Sequence, residues 1–378
     1  MLMAVVLNNA VYGLGLALTL AATGYAVASL WAARRPLAVW PQGAQRPAVS
    51  VLKPLHGTEP ALHDNLLSLC HQLRDGDQLL CGVREPHDPA IDVVRQVQAQ
   101  CPGRAIELVI DPRVHGSNLK VSNLLNLLAL ARHDWLVLAD SDISVPPGYL
   151  AQVTAPLADA SVGVVTCLYH GVPQPAFWSR LGSLFIDDWF APSVRLSHAL
   201  GSRRFAFGST IALRRDSLVA AGGLEALRDT LADDFWLGEL TRQAGRRTVL
   251  SAVLVGTEVS ETRLADLLGH ELRWLRTIRA IAPLGFVASV VCFTWPVVLI
   301  GWALAPGSAT ALLGLLALSA RGLRFALGPG PRRWRDLWLM PLRDLLLLGE
   351  WALALVGWRV KWRGQVMHAR KDGPIRYS

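Results

Sequence analysis

Three acidic sites and one Arg-Trp pair carry the residue types best able to do chemistry. Asp140-Ser141-Asp142 follows directly on the apolar run 135–139. Two carboxylates one residue apart at a strand's end can point into one crevice and hold a hard divalent cation, which in turn grips a diphosphate. A lone DxD triplet is equally at home in any turn after a strand. Asp233-Asp234 opens an apolar helix that begins Phe235-Trp236-Leu237 and carries Glu239. Read locally, one of its carboxylates caps the helix by accepting free amide hydrogens. The chemical alternative is a general base that takes the proton of an attacking alcohol. Arg273-Trp274, within His270-Glu271-Leu272-Arg273-Trp274, joins a cation able to neutralise a departing diphosphate to an indole able to stack on a sugar or line an acceptor's entrance. The same pair is common where a helix meets lipid headgroups. His170 is either a substrate contact or a satisfied structural histidine.

The elements that must position these residues are legible as alternating patterns. Short apolar runs at 49–52, 78–83, 106–110, 135–139, 162–167, 207–213 and 248–250 read as strands. Between several of them, 60–73, 90–99 and 119–131 repeat apolar residues at three-to-four spacing and read as helices. Strand, helix, strand in repetition predicts a mostly parallel sheet covered on both faces, with ligands at the carboxyl ends of the strands.

The rest of the chain reads as membrane. Of 378 residues, 52% are apolar and only 17% charged, and 14 Trp against 5 Tyr favours an interfacial protein. Segment 11–33 has no charge, is followed by Arg34-Arg35, and exceeds the roughly 20 residues a crossing needs. By the positive-inside tendency the N-terminus faces outward and the chain after Arg34 begins in the cytoplasm. A polar linker, 42–47, leads into the strand-rich part. Apolar segments return at 281–305 and 309–327, and a third, 337–358, carries Arg343, Asp344 and Glu350, whose polar face must turn towards protein or a ligand cavity. The tail 359–376 is basic and prefers the cytoplasm, so one C-terminal segment must be re-entrant or interfacial. Segment 177–205, studded with Trp178, Phe185, Trp189, Phe190, Arg180, Arg195, Arg203 and Arg204, reads either as ordinary core with a solvated face or, from its place between DSD and the third acidic site, as an interfacial helix that dips into headgroups.

The net charge of +8, with Arg clustered beside apolar stretches as at Arg332, Arg333 and Arg335, suits anionic lipid better than nucleic acid. No nucleic-acid-binding motif is present. Cys70, Cys81, Cys101, Cys167 and Cys292 form no CxxC pair and imply neither a disulfide framework nor a zinc site, so each reads as a small buried apolar side chain in a reduced compartment.

Taken together, the order of Asp88, the DSD triplet, Asp233-Asp234 and RW followed by apolar segments resembles the ceramide glucosyltransferase-like glycosyltransferases (family 21, family 2-like), with their D, D, D, (Q/R)xxRW pattern. Further stretches match it: Ser50-Val51-Leu52-Lys53-Pro54-Leu55-His56-Gly57, His87-Asp88-Pro89-Ala90-Ile91-Asp92, Asn118-Leu119-Lys120-Val121-Ser122-Asn123-Leu124 and Ala221-Gly222-Gly223-Leu224. The likeness covers about 50–279. His270 stands where the pattern has Gln or Arg, which points to a bacterial branch that includes the hopanoid-biosynthesis glycosyltransferases.

The resemblance implies an α/β fold of the GT-A (Rossmann-like) type with N-terminal and C-terminal transmembrane helices. Its expected parts are an anchor at 1–36, a cytosolic catalytic domain at 37–279, and C-terminal membrane or interfacial helices with a basic tail at 280–378. It also implies an inverting transfer of one sugar from UDP-N-acetylglucosamine or UDP-glucose to the hydroxyl of a hopanoid or ceramide, at the cytoplasmic face of a bacterial inner membrane. Lys53, Asp88, Lys120, Asp140 and His270 would serve the nucleotide-sugar. Asp140 and Asp142 would hold Mg2+ or Mn2+, and Asp234, with Asp233, Arg273 and Trp274, would act in catalysis. A processive polysaccharide synthase would share the acidic sites but should show more membrane segments and QxxRW. A silent membrane scaffold has no evident reason to keep all of these motifs.

Overall fold

Alternating faces explain the central sheet. In β1 (Val49–Pro54) and β4 (Trp135–Leu138), Val51 and Val137 point to one side and Leu52 and Leu138 to the other. One side is packed by the helices Leu62–Cys70 and Ala90–Gln100, through Leu66 and Val94, and the other by Leu119–Leu128, through Leu124. Both faces are therefore dry, as the continuous apolar runs required. The computed structural model describes residues 2–41, 46–327, 334–362, 365–369 and 373. Linker residues 42–45, Arg332, Arg333 and tail positions 363–364, 370–372 and 374–376 lie outside the described residues.

Eight strands complete the sheet. With β2 (Gln78–Val83), β3 (Ala105–Ile110), β5 (Ile143–Ser144), β6 (Val162–Pro173), β7 (Ile211–Arg214) and β8 (Arg247–Val259), the order is β3-β2-β1-β4-β7-β6-β8-β5. Pairs β2–β3, β1–β2 and β1–β4 are parallel, whereas β4–β7, β6–β7 and β5–β8 are antiparallel. The sheet is thus mixed rather than mostly parallel. An apolar run encodes burial but not direction, so the sequence could not separate the two halves. The run at 207–213 yields only β7, because Phe207–Thr210 closes a turn with Thr210 N–H donating to Phe207 O at 3.1 Å. β6 and β8 extend beyond the expected 162–167 and 248–250, into stretches where polar residues such as His170 and Thr257 interrupt the apolar pattern.

The chain divides into two compact units. One comprises Leu37–Val172 and Ser202–Ser260 and holds the sheet; the other comprises Met1–Pro36, Pro173–Gly201 and Glu261–Arg370 and holds the long apolar helices. Of the range 37–279, residues 173–201 and 261–279 therefore group with the apolar helices.

In the helical unit, Val5–Arg34 and Ser308–Leu327 are, among the described residues, long and apolar enough to cross a membrane. The segment expected at 281–305 is broken: Pro283–Cys292 and Thr294–Leu304 meet at 73°. The break has a visible partner, since Asp344 accepts from the N–H of Trp295 at 2.9 Å, satisfying an amide that a new helix start leaves open. The third apolar stretch forms the 3-10 turn Trp334–Leu339 followed by the 15-residue α-helix Met340–Ala354. Its polar residues do turn into protein. Arg343 is 1% exposed and donates to Glu271 at 2.9 Å and Glu350 at 2.5 Å, while Asp344 pairs with Arg321. Segment 177–205 becomes Phe177–Leu184, the π-helical turn Phe185–Phe190 and Ala191–Ala199. Arg195 there caps the first helix by donating to the carbonyls of Ala32 and Ala33 at 3.3 and 3.4 Å.

The cysteines need one correction. Cys70, ending Leu62–Cys70, and Cys101, just past Ala90–Gln100, face each other with Cα atoms 7.0 Å apart, so not all five are isolated side chains. They lie 31 residues apart, and only the packing of the two helices brings them together. Cys81 and Cys167 are buried as expected, and Cys292 is partly so.

Candidate active site

Strand register assembles the site. Parallel pairing sets Leu52 beside Leu138, so Lys53 runs alongside Ala139 at the point where β4 gives way to Asp140-Ser141-Asp142. Antiparallel pairing sets Ile211 against Leu138, which brings the turn before β7, with Gly208, to the same edge. β5 pairs with β8 so that Ile143 faces Thr257, next to Asp142. Three chain segments distant in sequence therefore converge on the DSD turn.

Around it, four of the expected groups come together. Lys120 Nζ lies 2.6 Å from Asp140 Oδ1 and 3.4 Å from Asp233 Oδ2. Asp234 accepts the N–H of Gly208 through Oδ2 at 2.8 Å and that of Phe235 through Oδ1 at 2.8 Å. Lys120, Asp140, Gly208 and Asp233 line a narrow cleft together with the apolar side chains of Leu124, Leu138, Ile211 and Leu237.

Charge in this cleft is strongly biased. Burial works against the ammonium of Lys120, but the carboxylates of Asp140, Asp233 and Asp234 outweigh it and raise its pKa above the ordinary lysine value. Asp234 moves the other way in chemical consequence. Burial, then the charge of Asp233, lifts its carboxyl from 3.8 to about 6, against Lys120 and the two N–H donors. A carboxylate so placed is a better proton acceptor than a surface aspartate. At the helix start Asp234 takes up one otherwise open amide, the N–H of Phe235.

Asp142 is held differently. Its Oδ2 accepts from the Thr257 hydroxyl at 2.5 Å, and burial, followed by the charge of Asp140, raises its pKa. Asp140 and Asp142 offer hard oxygen donors, and the raised pKa of Asp142 marks negative charge that a cation would offset. Among the described residues no group of three or more His, Cys, Asp or Glu side chains is arranged to hold a metal ion. Asp140 and Asp142 are the residues whose type could hold a hard divalent cation, with substrate phosphate and water as its remaining ligands.

Lys53 and Asp88 are both buried and neither lines the cleft. Lys53 is 1% exposed, and its Nζ donates to the carbonyl of Asp140 at 2.5 Å. Asp88, 6% exposed, accepts the N–H of Gly57 at 3.0 Å and that of Ala90 at 2.9 Å, tying the loop after β1 to the start of the helix after β2. His270, Arg273 and Trp274 belong to the helical unit, on the helix Leu264–Ile281. There His270 Nδ1 meets the carboxylate of Glu261, and its ring lies edge-on to Trp274 with centroids 4.5 Å apart. Trp274 in turn packs on Phe185 at 5.6 Å. His170 is partly buried with Nδ1 3.4 Å from Gly171 O, a weak local contact.

Sequence reasoning assigned no role to Asn118, Gly208 or Thr257. Asn118 caps Leu119–Leu128 by accepting Val121 N–H at 3.0 Å and donates to Asp233 at 3.3 Å, so it sets both Lys120 and the acidic pair. An Asn just before a periodic helix is a readable cap signal. Gly208 is needed for space: a Cβ there would meet Asp140 Oδ2 at 2.8 Å and Lys120 Nζ at 2.9 Å. Nothing local in the sequence marks it, or Thr257.

The geometry has relatives. The mannosyltransferase PcManGT from Pyrobaculum calidifontis, solved with GDP-Man and Mn2+, superposes with a TM-score of 0.52 at 22% identity, covering 92% of each chain, which shows a shared GT-A-like fold. Ceramide glucosyltransferase 1 of Caenorhabditis elegans is 24% identical over 238 residues, 63% of this chain and 51% of that protein. Ceramide glucosyltransferase 3 of the same organism is 21% identical over 241 residues, 63% of this chain and 52% of that protein. The chain thus spans about half the length of the curated relatives it matches. The sequence model described as glycosyl transferase family 21 matches residues 14–375, nearly the whole chain, and the protein belongs to that family.

Proposed function

We propose that the protein is an inverting hexosyltransferase that moves one sugar from a UDP-sugar, UDP-N-acetylglucosamine or UDP-glucose, to the hydroxyl of a membrane lipid, a hopanoid or a ceramide. The observation that carries this is Asp234: a carboxylate lifted to about 6, set by two backbone N–H groups beside a cleft that also holds Lys120 and Asp140.

In this reading Asp234 accepts the proton of the lipid hydroxyl as its oxygen bonds to the anomeric carbon. The bond from that carbon to the diphosphate breaks on the opposite face, and the configuration inverts. Lys120, whose ammonium is firmly protonated, neutralises charge gathering on the diphosphate. Asp140 and Asp142 would hold Mg2+ or Mn2+, which supplies Lewis-acid stabilisation of the same leaving group. Arg273 and His270 are assigned to the diphosphate and Trp274 to the acceptor, on the strength of residue type within the family. Asp88 keeps the nucleotide-side loop in place by its hold on Gly57. The long apolar helices Val5–Arg34 and Ser308–Leu327 support a membrane protein; its place in a bacterial cytoplasmic membrane, with catalysis on the cytoplasmic side, is part of the proposal.

The test is transfer by the detergent-purified protein with Mg2+, pairing UDP-glucose and UDP-N-acetylglucosamine in turn with ceramide and a polyhydroxylated hopanoid, products read by mass spectrometry. A lipid gaining one hexose or one N-acetylhexosamine is the expected result. No product from any pair, with UDP binding also absent, would remove the proposal.

A further inference from the structure

The buried lysine behind the DSD turn has a task of its own. Lys53 occupies the penultimate position of β1, and its Nζ donates to Asp140 O at 2.5 Å and reaches Ile143 O at 3.5 Å. The two carbonyls belong to the first residue of the triplet and to the residue just after it, so one ammonium spans the turn. The triplet is tied elsewhere as well. Ser141 donates to Glu59 at 2.8 Å, Asp142 Oδ2 takes the Thr257 hydroxyl, and Asp142 O accepts Glu258 N–H at 3.0 Å.

Exposure separates the two lysines of the site. The side chain of Lys120 is 15% exposed and lines the cleft, whereas Lys53 is 1% exposed and is absent from the cleft lining. A phosphate ligand must be reachable by phosphate; a scaffold cation need not be. Burial lowers the pKa of Lys53, and Asp142, Glu59, Cys81 and Asp140 act against that loss.

We propose that Lys53 is a positioning residue for the metal-binding turn: it holds the backbone on both sides of Asp140-Ser141-Asp142 so that the two carboxylates are presented to a divalent cation, and it does not touch the donor's phosphates. This rests on the reading of DSD as the metal and diphosphate turn.

Lys53→Met keeps the stem and removes the donor. In the full-length detergent-purified protein, UDP affinity measured by calorimetry in EDTA stays within about twofold, while Mn2+ affinity read by electron paramagnetic resonance falls about tenfold or more, as is usual when a group supporting metal ligands is lost. KM for the UDP-sugar at saturating Mn2+ returns towards the parent value. The reverse pattern, UDP affinity in EDTA lost and Mn2+ affinity kept, makes Lys53 a phosphate ligand and overturns the assignment. So does a Lys53→Met protein with unchanged Mn2+ affinity. Should Lys53→Met not fold, Lys53→Arg, which keeps the charge but crowds the buried site, decides on the same two readouts. Parent protein that binds neither UDP nor Mn2+ overturns the proposed function together with this assignment, whereas normal parent binding with an indifferent Lys53→Met overturns this assignment alone.

Discussion

Replacing Asp234 by Asn should make the protein more stable and nearly inactive. The folded carboxyl titrates at about 6 instead of 3.8, because burial and Asp233 disfavour its charge. For an acid with a raised folded pKa, folding is strongest below the unfolded value and weakens as pH climbs from about 4 to about 6. At neutral pH the full penalty applies, about 3 kcal/mol for that displacement. Asn carries no charge and escapes it. It can accept only one of the two N–H groups now held by Asp234, from Gly208 and Phe235, a loss of about 1 kcal/mol. The balance favours the variant by about 2 kcal/mol, a rise of several degrees in thermal unfolding followed by intrinsic fluorescence in detergent at pH 7.5. Turnover should fall by about 10² to 10⁴, the usual worth of a positioned base, with UDP affinity within about twofold of the parent. The parent's kcat/KM should also decline below about pH 6, as Asp234 takes up its proton, and the variant's residual rate should lack that limb. A variant that turns over at a tenth of the parental rate or better would refute the base assignment. One that loses UDP binding and turnover in equal measure would show Asp234 to be structural.

The remaining expectations concern the turn, its neighbour and the helix packing. Asp142→Asn should weaken Mn2+-dependent donor binding about tenfold or more while leaving metal-free UDP binding unchanged, and an unaltered Mn2+ titration would count against Asp142 as a ligand. Gly208→Ala puts a methyl 2.8 Å from Asp140 Oδ2 and 2.9 Å from Lys120 Nζ, so kcat/KM should drop about tenfold to a hundredfold; parental kinetics would mean the pair yields without consequence. Gly301→Ala presses a methyl to 2.1 Å from Thr19 Oγ1 and 2.9 Å from Gly15 O, where the helices Leu2–Arg34 and Thr294–Leu304 meet. It should cost about 1–3 kcal/mol in thermal unfolding without changing kcat of the folded fraction, and an unchanged melting point would sink the close-packing argument.

What the sequence made legible is what depends on local pattern. Val49, Val51 and Leu52 announce a strand buried on both faces because apolar residues fall on both sides of it despite Ser50, and in β2 the run Leu79-Leu80-Cys81 does the same. Residue type marked the DSD carboxylates and Asp234, since few other groups can hold a cation or accept a proton. Strand direction was not legible, because Ile211–Arg214 looks the same whether it runs with β4 or against it, and only the pairing Leu138↔Ile211 reveals the antiparallel half. That pairing is also what carries Gly208 to Asp140, so the residue whose lack of a side chain makes room for Lys120 was invisible for the same reason as the sheet's direction. Lys53 illustrates the limit from the other side. A lysine in the Lys-Pro-Leu-His-Gly stretch invites a phosphate, and the type is right for one. Its accessibility decides otherwise. Accessibility is set by where β1 ends relative to β4, a fact of register that no single strand contains. Chemistry in this protein is therefore written in residue types, while the division of labour between two similar cations is written in the pairing of strands far apart in sequence.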